Sequence, residues 1–502
     1  MENFATVLRP IRAPLPPCAI TIPFAGPAAG PRRGRGGDGH AAAGAHAGAT
    51  ATATAREAPP EDAPMTEPSG PAPSVLVIAE AANPEWVSVP LVGWSMAQAL
   101  RDVARVHLVT QVRNRDAILR AGLREGADFT AIDTEALAGP VHRLSTALRR
   151  GTGRAWTIDT ALSGLIYPYF ERLVWRAFAA DLRAGRFDLV HRVTPLTPTT
   201  VSPLAARCAG VGVPFVMGPL NGGVPWPAAF DAERRREREW LSYVRGAYRL
   251  RPGRGAMYRA CAAILAGSRH TASEVPAAHR DRVVYLPENA VDPARFARRA
   301  AQDVSGPLRA CFIGRMVPYK GPDMALEAAA PLLRSGRLAM DMLGDGPMRA
   351  ELEAFAAREG LGAAVTFHGM VDHARVQDIA ARSNLLVFPS IREFGGGVVL
   401  EAMSMGVVPL VVDYAGPGEL VTAGTGLKVP LGDRAGIVAS VRARLEALAA
   451  DPSGLPGMGA RAQARAHALF TWPAKARQVR EVYDWVLGRR PDRPEPIPAD
   501  PS

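Results

Sequence analysis

Two glutamates flank a run of three glycines in the second half of the sequence. Glu393 precedes Gly395–Gly397 and Glu401 follows them, with seven residues between the two glutamates. The apolar run 385–388 before this segment predicts a buried strand, and the residues from 398 onward predict a helix. Glycines leave the backbone open to a ligand, and a helix N-terminus attracts anions. The segment therefore predicts a diphosphate site beside two carboxylates, which can accept hydrogen bonds from sugar hydroxyls.

Two cations follow another predicted strand, which spans 310–314. Arg315 and Lys320 stand five residues apart around a turn that leads into a helix. Fixed cations stabilise the negative charge that grows on a departing diphosphate. Lys320 is one of only three lysines, against 59 lysines and arginines together, and this rarity favours a specific role over an ordinary surface pair.

These segments together resemble the group 1 nucleotide-sugar glycosyltransferases, a family of retaining enzymes with the GT-B fold. Glu393 and Glu401 match the E-x7-E signature of that family, and the segments 406–409 and 416–420 are similar to its continuation. The resemblance is closest between residues 314 and 430. The alternative is an ordinary strand-loop-helix crossover with surface glutamates.

The resemblance implies roles for individual residues. The residues it places at the chemistry are Glu393, Arg315, Lys320 and His191. The residues it places on the donor are Glu401, Gly395, Gly396, Gly397, Gly314, Gly369 and Met370. Glu393 would meet hydroxyls of the donor sugar and Glu401 those of the ribose, while the cations and glycine N–H groups would hold the diphosphate.

His191 ends a predicted strand over residues 187–191. Many members of the family carry two histidines here; His191 fits the first, and Val193 occupies the position of the second. Two placements therefore stay open for His191, one in the core and one in the cleft.

The expected fold class is α/β, with two Rossmann-like domains that face a cleft (GT-B) and a C-terminal helix that crosses back to the first domain. The first domain would bind the acceptor and the second the donor. The predicted boundaries are a disordered leader at 1–72, the first domain at 73–292, the second at 307–471, the crossover helix at 472–488 and a disordered tail at 489–502. Met65 stands just before the first strand, and a mis-assigned start codon would explain the leader.

Composition narrows the functional classes. The chain has 502 residues, 48% of them hydrophobic, but no apolar run of the ~18 residues that a membrane span needs. Its four cysteines lack paired spacing, which predicts a reduced, cytoplasmic protein without structural zinc. The first loop lacks a GxGxxG fingerprint, which counts against a dehydrogenase. No nucleic-acid motif accompanies the net charge of +11, so a lipid surface or a phosphorylated ligand is favoured.

Two basic and aromatic stretches, 140–185 and 234–254, bear on membrane contact. Each has two interpretations, a helix with a solvated face or a lipid-facing surface, so peripheral contact at the inner face of the membrane stays open.

The resulting hypothesis is retaining transfer of a hexose from a nucleotide diphosphate sugar to a hydroxyl of a carbohydrate or lipid-linked acceptor, in polysaccharide or glycolipid assembly. We expect no metal, because no Asp-x-Asp motif stands out, and no cofactor besides the donor substrate. The alternative is a non-catalytic protein that binds nucleotide sugars or a membrane surface. A phosphorylase of the same fold would need a cofactor-lysine pattern, which we do not find.

Overall fold

The computed structural model describes residues 70–135, 155–236 and 251–498. Most of the predicted leader and most of the basic stretch 234–254 lie outside these residues, as does the part of the other stretch that spans 140–154. None of the described helices combines the length and the apolar composition that a membrane span requires.

The strands form two parallel sheets, one for each half of the chain. The first sheet contains β1 Ser74–Ala79, β2 Arg105–Gln111, β3 Phe129–Ile132, β4 Leu189–Thr194, β5 Phe215–Leu220, β6 Cys261–Ala266 and β7 Val283–Tyr285. The second contains β8 Leu308–Ile313, β9 Leu338–Leu343, β10 Val365–Gly369, β11 Leu385–Phe388, β12 Val408–Val412 and β13 Leu427–Val429. Their spatial orders are β3-β2-β1-β4-β5-β6-β7 and β10-β9-β8-β11-β12-β13.

Helices connect the strands. Those of the first half are α1 Val89–Leu100, α2 Arg115–Arg120, α3 Ala155–Arg183, α4 Pro203–Ala209, α5 Asp231–Arg236, α6 Arg254–Ala260 and α7 Arg269–Glu274. Those of the second half are α8 Pro322–Arg334, α9 Arg349–Arg358, α10 His373–Ala380, α11 Gly397–Ser404, α12 Ala415–Leu420, α13 Arg434–Ala450, α14 Leu455–Leu469 and α15 Trp472–Val486.

The strands are buried on both faces, as all-parallel sheets require. Val75, Leu76, Val77 and Ile78 of β1 are fully buried, and alternate members of this run pack into two separate clusters on opposite faces of the sheet. Such runs cannot alternate between apolar and polar residues, which is why the strands read as continuous apolar segments in the sequence. The prediction of two Rossmann-like α/β domains is confirmed.

The C-terminal helix α15 belongs to the first domain although it follows the second. Val479, Val482 and Tyr483 are fully buried in one cluster with Val75 and Val77. The predicted crossover helix is therefore confirmed. The two segments that connect the domains run side by side, because the Val291 N–H donates to the Phe470 carbonyl at 2.8 Å.

Two segments differ from expectation. The tail up to residue 498 lies against the protein instead of being disordered, since Ile497 is only 7% exposed and packs with the second core. The segment between the two predicted domains, residues 293–306, also packs there, through buried Phe296 and Ala300. The sequence does not reveal these contacts because isolated apolar side chains in a polar segment give no periodic signal.

The aromatic stretch before β4 is largely core. Tyr167, Phe170 and Phe178 on α3 are at most 7% exposed and pack beneath the first sheet. Of the two interpretations of this stretch, the described side chains favour the packed helix.

Candidate active site

The cleft between the domains holds a cavity of about 410 Å³. Its walls come from both domains and from the segment that joins them. The lining residues are Ser88, Val89, Val92, Leu196, Asn221, Glu288, Asn289, Lys320, Glu393, Phe394, Gly395, Gly397 and Val398. The cavity therefore lies at the carboxyl ends of parallel strands, where ligands bind in open α/β sheets.

The predicted cation and the first glutamate meet in this cavity. Lys320 Nζ lies 2.8 Å from a carboxylate oxygen of Glu393, and both side chains are about one-fifth exposed. The lysine also lies over the ring of Phe388, with Nζ 5.3 Å from the centroid. An ammonium has three donors, so Lys320 can keep Glu393 and still donate to an anionic ligand.

The glycine loop sits where α11 begins, as the sequence predicted to within one residue. Gly396 has a left-handed backbone, with φ of 56°, and caps the helix that starts at Gly397. A Cβ atom on Gly395 would lie 2.2 Å from the side-chain nitrogen of Asn289, so the loop packs tightly against the interdomain segment. The first N–H groups of a helix have no partner within it, which gives this loop donors for a phosphate.

A second glycine segment fixes the position of this loop. The Gly416 N–H donates to the Glu393 carbonyl at 3.1 Å. A Cβ atom on Gly416 would lie 2.0 Å from the Phe394 carbonyl oxygen. The glycine is therefore required by close approach of two backbones, which explains why the segment 416–420 accompanies the E-x7-E pattern.

Glu401 lies one turn inside α11 and is partly buried. Burial raises the pKa of Glu401 to about 7, and the positive charges of Arg295 and Lys320 act in the opposite direction. Its charge at neutral pH therefore responds to small changes in its surroundings, such as arrival of a ligand.

The other residues predicted to bind the donor lie on loops at the carboxyl ends of strands of the second sheet. A Cβ atom on Gly344 would lie 2.0 Å from the Gly314 carbonyl oxygen, and the Gly344 N–H donates to the Gly369 carbonyl at 2.9 Å. Arg315 is exposed next to Gly314, and Met370 is 53% exposed after Gly369. The structure thus places Gly314, Gly369 and Met370 along the same edge of the second sheet, outside the cavity itself.

His191 occupies the core and not the cleft. It is fully buried on β4, with Nδ1 2.6 Å from the Tyr483 hydroxyl and Nε2 2.8 Å from the Gly218 carbonyl. Burial lowers the pKa of His191 to about 4. Nδ1 contacts α15 and Nε2 contacts β5, so the structure places His191 in the core, apart from the reacting groups with which the resemblance placed it. The sequence could not decide between core and cleft, because a strand residue can point to either face of the sheet and the motif does not say which face is covered.

The cavity also contains polar groups that the sequence did not assign to the site. Asn221 follows β5, and Glu288 and Asn289 follow β7 in the segment that joins the domains. Their positions in the sequence could have indicated the site, since polar residues directly after parallel strands meet at the same edge of the sheet.

Comparison with known proteins agrees with this geometry. Residues 295–447 match the family model described as glycosyl transferases group 1. A 2-deoxystreptamine glucosyltransferase from Streptomyces kanamyceticus is 29% identical over 289 residues, covering 52% of this chain and 72% of the relative. A D-inositol 3-phosphate glycosyltransferase from Nocardia farcinica is 34% identical over 231 residues, covering 43% of this chain and 50% of the relative.

Several other curated relatives match over 43–50% of their length, so these matches span about half of each relative. Among solved structures, the Anabaena protein HepE in complex with UDP has a TM-score of 0.53 at 16% identity, covering 82% of this chain and 99% of that one. Such a likeness shows the fold. The match to the group 1 glycosyltransferase model is confined to residues 295–447, and the likeness to HepE supports the two-domain GT-B fold for the chain.

Proposed function

We propose that the protein is a retaining glycosyltransferase that moves a hexose from a nucleotide diphosphate sugar to a hydroxyl acceptor. The observation that carries the proposal is the Lys320–Glu393 pair beside the start of α11, inside a cavity walled by both domains. Two of the relatives carry names that denote transfer of a sugar, a 2-deoxystreptamine glucosyltransferase and a D-inositol 3-phosphate glycosyltransferase. We extend the proposal to polysaccharide or glycolipid assembly in the cytoplasm, with an acceptor that is a carbohydrate or a lipid-linked glycan and with peripheral contact at the inner face of the membrane.

The donor would lie with its diphosphate between Lys320 and the N–H groups of Gly396 and Gly397. Arg315, exposed at the end of β8, would add a second positive charge. Glu401 would hold the ribose hydroxyls and Glu393 a hydroxyl of the transferred sugar. These fixed charges would do the work that a divalent metal does in other transferases, because they stabilise the same leaving group.

In this proposal no side chain of the protein attacks the anomeric carbon, so the acceptor oxygen itself replaces the phosphate oxygen. The bond between the anomeric carbon and the phosphate oxygen breaks while the bond to the acceptor oxygen forms on the same face of the sugar. The acceptor proton passes to the departing phosphate oxygen, and nucleoside diphosphate leaves. Retention of the anomeric configuration is the expected outcome, and the configuration of an isolated product would test it.

The first experiment measures binding and slow hydrolysis of UDP-glucose, GDP-mannose and ADP-glucose by the wild-type chain. We expect one of them to bind and to be hydrolysed. Substitution Lys320→Met should weaken binding of that donor about 100-fold, because it removes a charge-assisted contact to the diphosphate. Lys428→Met is the matched control, since Lys428 pairs with Asp413 at 3.2 Å outside the cavity that holds Glu393.

The outcomes separate the two functions that the sequence left open. Binding with turnover supports the enzyme. Binding of a donor with no hydrolysis and no transfer would favour the non-catalytic nucleotide-sugar protein instead. Absence of any donor binding by well-folded protein would overturn both.

A further inference from the structure

A buried carboxylate from the interdomain segment lines the cavity between the domains. Glu288 is only 7% exposed, and one of its oxygens, Oε1, accepts a hydrogen bond from the Asn221 side chain at 2.9 Å. The other oxygen, Oε2, is also buried and accepts no hydrogen bond from any residue in the described part of the chain. Buried polar atoms are nearly always hydrogen-bonded in native proteins, so an unpaired one that borders a cavity indicates a partner supplied by a ligand.

The position of Glu288 indicates which part of the ligand it would contact. A Cβ atom on Gly395 would lie 3.0 Å from Glu288 Oε1, so the carboxylate reaches the same loop that we assign to the diphosphate. Glu288 and Glu393 line the same cavity, together with Lys320. The diphosphate of a nucleotide sugar carries the nucleoside on one phosphate and the transferred sugar on the other. Glu288 shares its cavity with Glu393, which we assign to the sugar, whereas Glu401, which we assign to the ribose, is not among the residues that line it. The sugar is therefore the group that Glu288 would meet.

The charges around the Glu288 carboxyl group suit binding of a neutral hydroxyl. Burial raises the pKa of Glu288 to about 7, and the negative charge of Glu393 adds to this, whereas the Asn221 hydrogen bond and the positive charge of Lys475 act against it. Lys475 is itself fully buried on α15, and its ammonium donates to the Pro287 carbonyl.

We propose that Glu288 binds the transferred sugar, with Oε2 accepting a hydrogen bond from one of its hydroxyls while Asn221 holds Oε1. The inference rests on the proposed function, since it deepens the assignment of the donor site. Glu288 and Glu393 then contact the sugar from different parts of the chain, one from the interdomain segment and one from the second domain. Such a pair selects for donors whose hydroxyls reach both carboxylates.

The test compares each nucleotide sugar with its own nucleoside diphosphate. Calorimetric titrations of the full chain with UDP-glucose and UDP, GDP-mannose and GDP, and ADP-glucose and ADP first identify the donor that binds wild-type protein. Glu288→Gln keeps the size of the side chain and is expected to weaken the nucleotide sugar about tenfold and the free diphosphate less than twofold. Glu327→Gln, on α8, is the matched control, and thermal denaturation verifies that each variant is folded.

Each outcome bears on one proposal or the other. If wild-type protein binds neither form of any nucleotide, the proposed function fails and this inference fails with it. If wild-type protein binds both forms but Glu288→Gln weakens them equally, or weakens neither, only the role of Glu288 is overturned. Loss of transfer with unchanged donor affinity would also overturn it, because the hydroxyl would then belong to the acceptor.

Discussion

The three glutamates assigned to the ligand differ in their electrostatic surroundings. Glu393 and Lys320 form an ion pair, whereas Glu288 and Glu401 have pKa values raised to about 7. Burial, which disfavours the charged form, is the main cause for both Glu288 and Glu401, and nearby positive charges offset it only in part. Donor binding brings further negative charge into the same space, so the protonation of the cleft and the affinity for ligand are linked.

The pKa of Glu401 predicts how the affinity for ligand changes with pH. A carboxylate accepts hydrogen bonds from both ribose hydroxyls better than its protonated form does, and the pKa of Glu401 is raised to about 7. The affinity ratio of wild-type protein to Glu401→Gln for the nucleoside diphosphate should therefore increase about tenfold between pH 5.5 and pH 8.5. Titration calorimetry at several pH values measures it.

The ratio reports the titration of Glu401 alone, because the ligand's own phosphate, with a pKa of ~6, affects both proteins equally. Exposed Glu446→Gln is the control and should leave the affinity unchanged at every pH. A ratio that stays constant across the range would contradict the assignment of Glu401 to the ribose.

At the scale of elements, the site depends on close contact between two loops. The Glu393–Gly396 segment reaches its position because Gly416 packs directly against the Phe394 carbonyl. The contact joins the loop before α11 to the start of α12, so the order of the donor site is set by backbone contacts as well as by side chains.

Gly416→Ala should disrupt this contact. The new methyl group would lie 2.0 Å from a carbonyl oxygen that is part of the backbone and cannot rotate away. We expect a loss of about 1–3 kcal/mol in the free energy of unfolding, together with at least a tenfold loss of donor affinity as the loop moves. Chemical denaturation and donor titration measure the two effects.

Gly362→Ala is the matched control, since a Cβ atom there meets nothing within 4 Å. It should change the free energy of unfolding by no more than about 0.5 kcal/mol and leave donor affinity unchanged. Full donor affinity in Gly416→Ala would show that the loop does not need this contact.

The elements also show what the sequence can predict. Strands and the glycine loop were predicted because their signals are local: an apolar run, three glycines and the flanking glutamates. The contacts of Glu288 and the place of His191 were not, because each depends on residues far away in the chain. His191 meets Tyr483, 292 positions later, and Glu288 meets Asn221, 67 positions earlier.

At the scale of the whole molecule, helix α15 joins the domains. Its Tyr483 hydroxyl lies 2.6 Å from His191 Nδ1 at the centre of the first domain. Tyr483→Phe removes one partner of a buried pair and should lower the free energy of unfolding by about 1–3 kcal/mol. Donor affinity, measured on the folded variant, should remain within twofold of wild type, because the pair lies outside the cleft.

Tyr169→Phe, on α3 of the same domain and only partly buried, is the control and should change stability by no more than about 0.5 kcal/mol. A large loss of donor affinity in a stable Tyr483→Phe variant would mean that His191 does act in the cleft.

The course of α15 also bears on how the protein is made. Chains are synthesised from the N-terminus and domains fold as units. Most of the second core comes from one continuous stretch, from about Leu308 to Phe470, whereas the core of the first domain includes both Val75 and Tyr483. The domain that is translated first therefore completes its core only after α15 has left the ribosome. Until then the apolar face that receives α15 stays uncovered, and a nascent chain halted before Trp472 would present that face to chaperones.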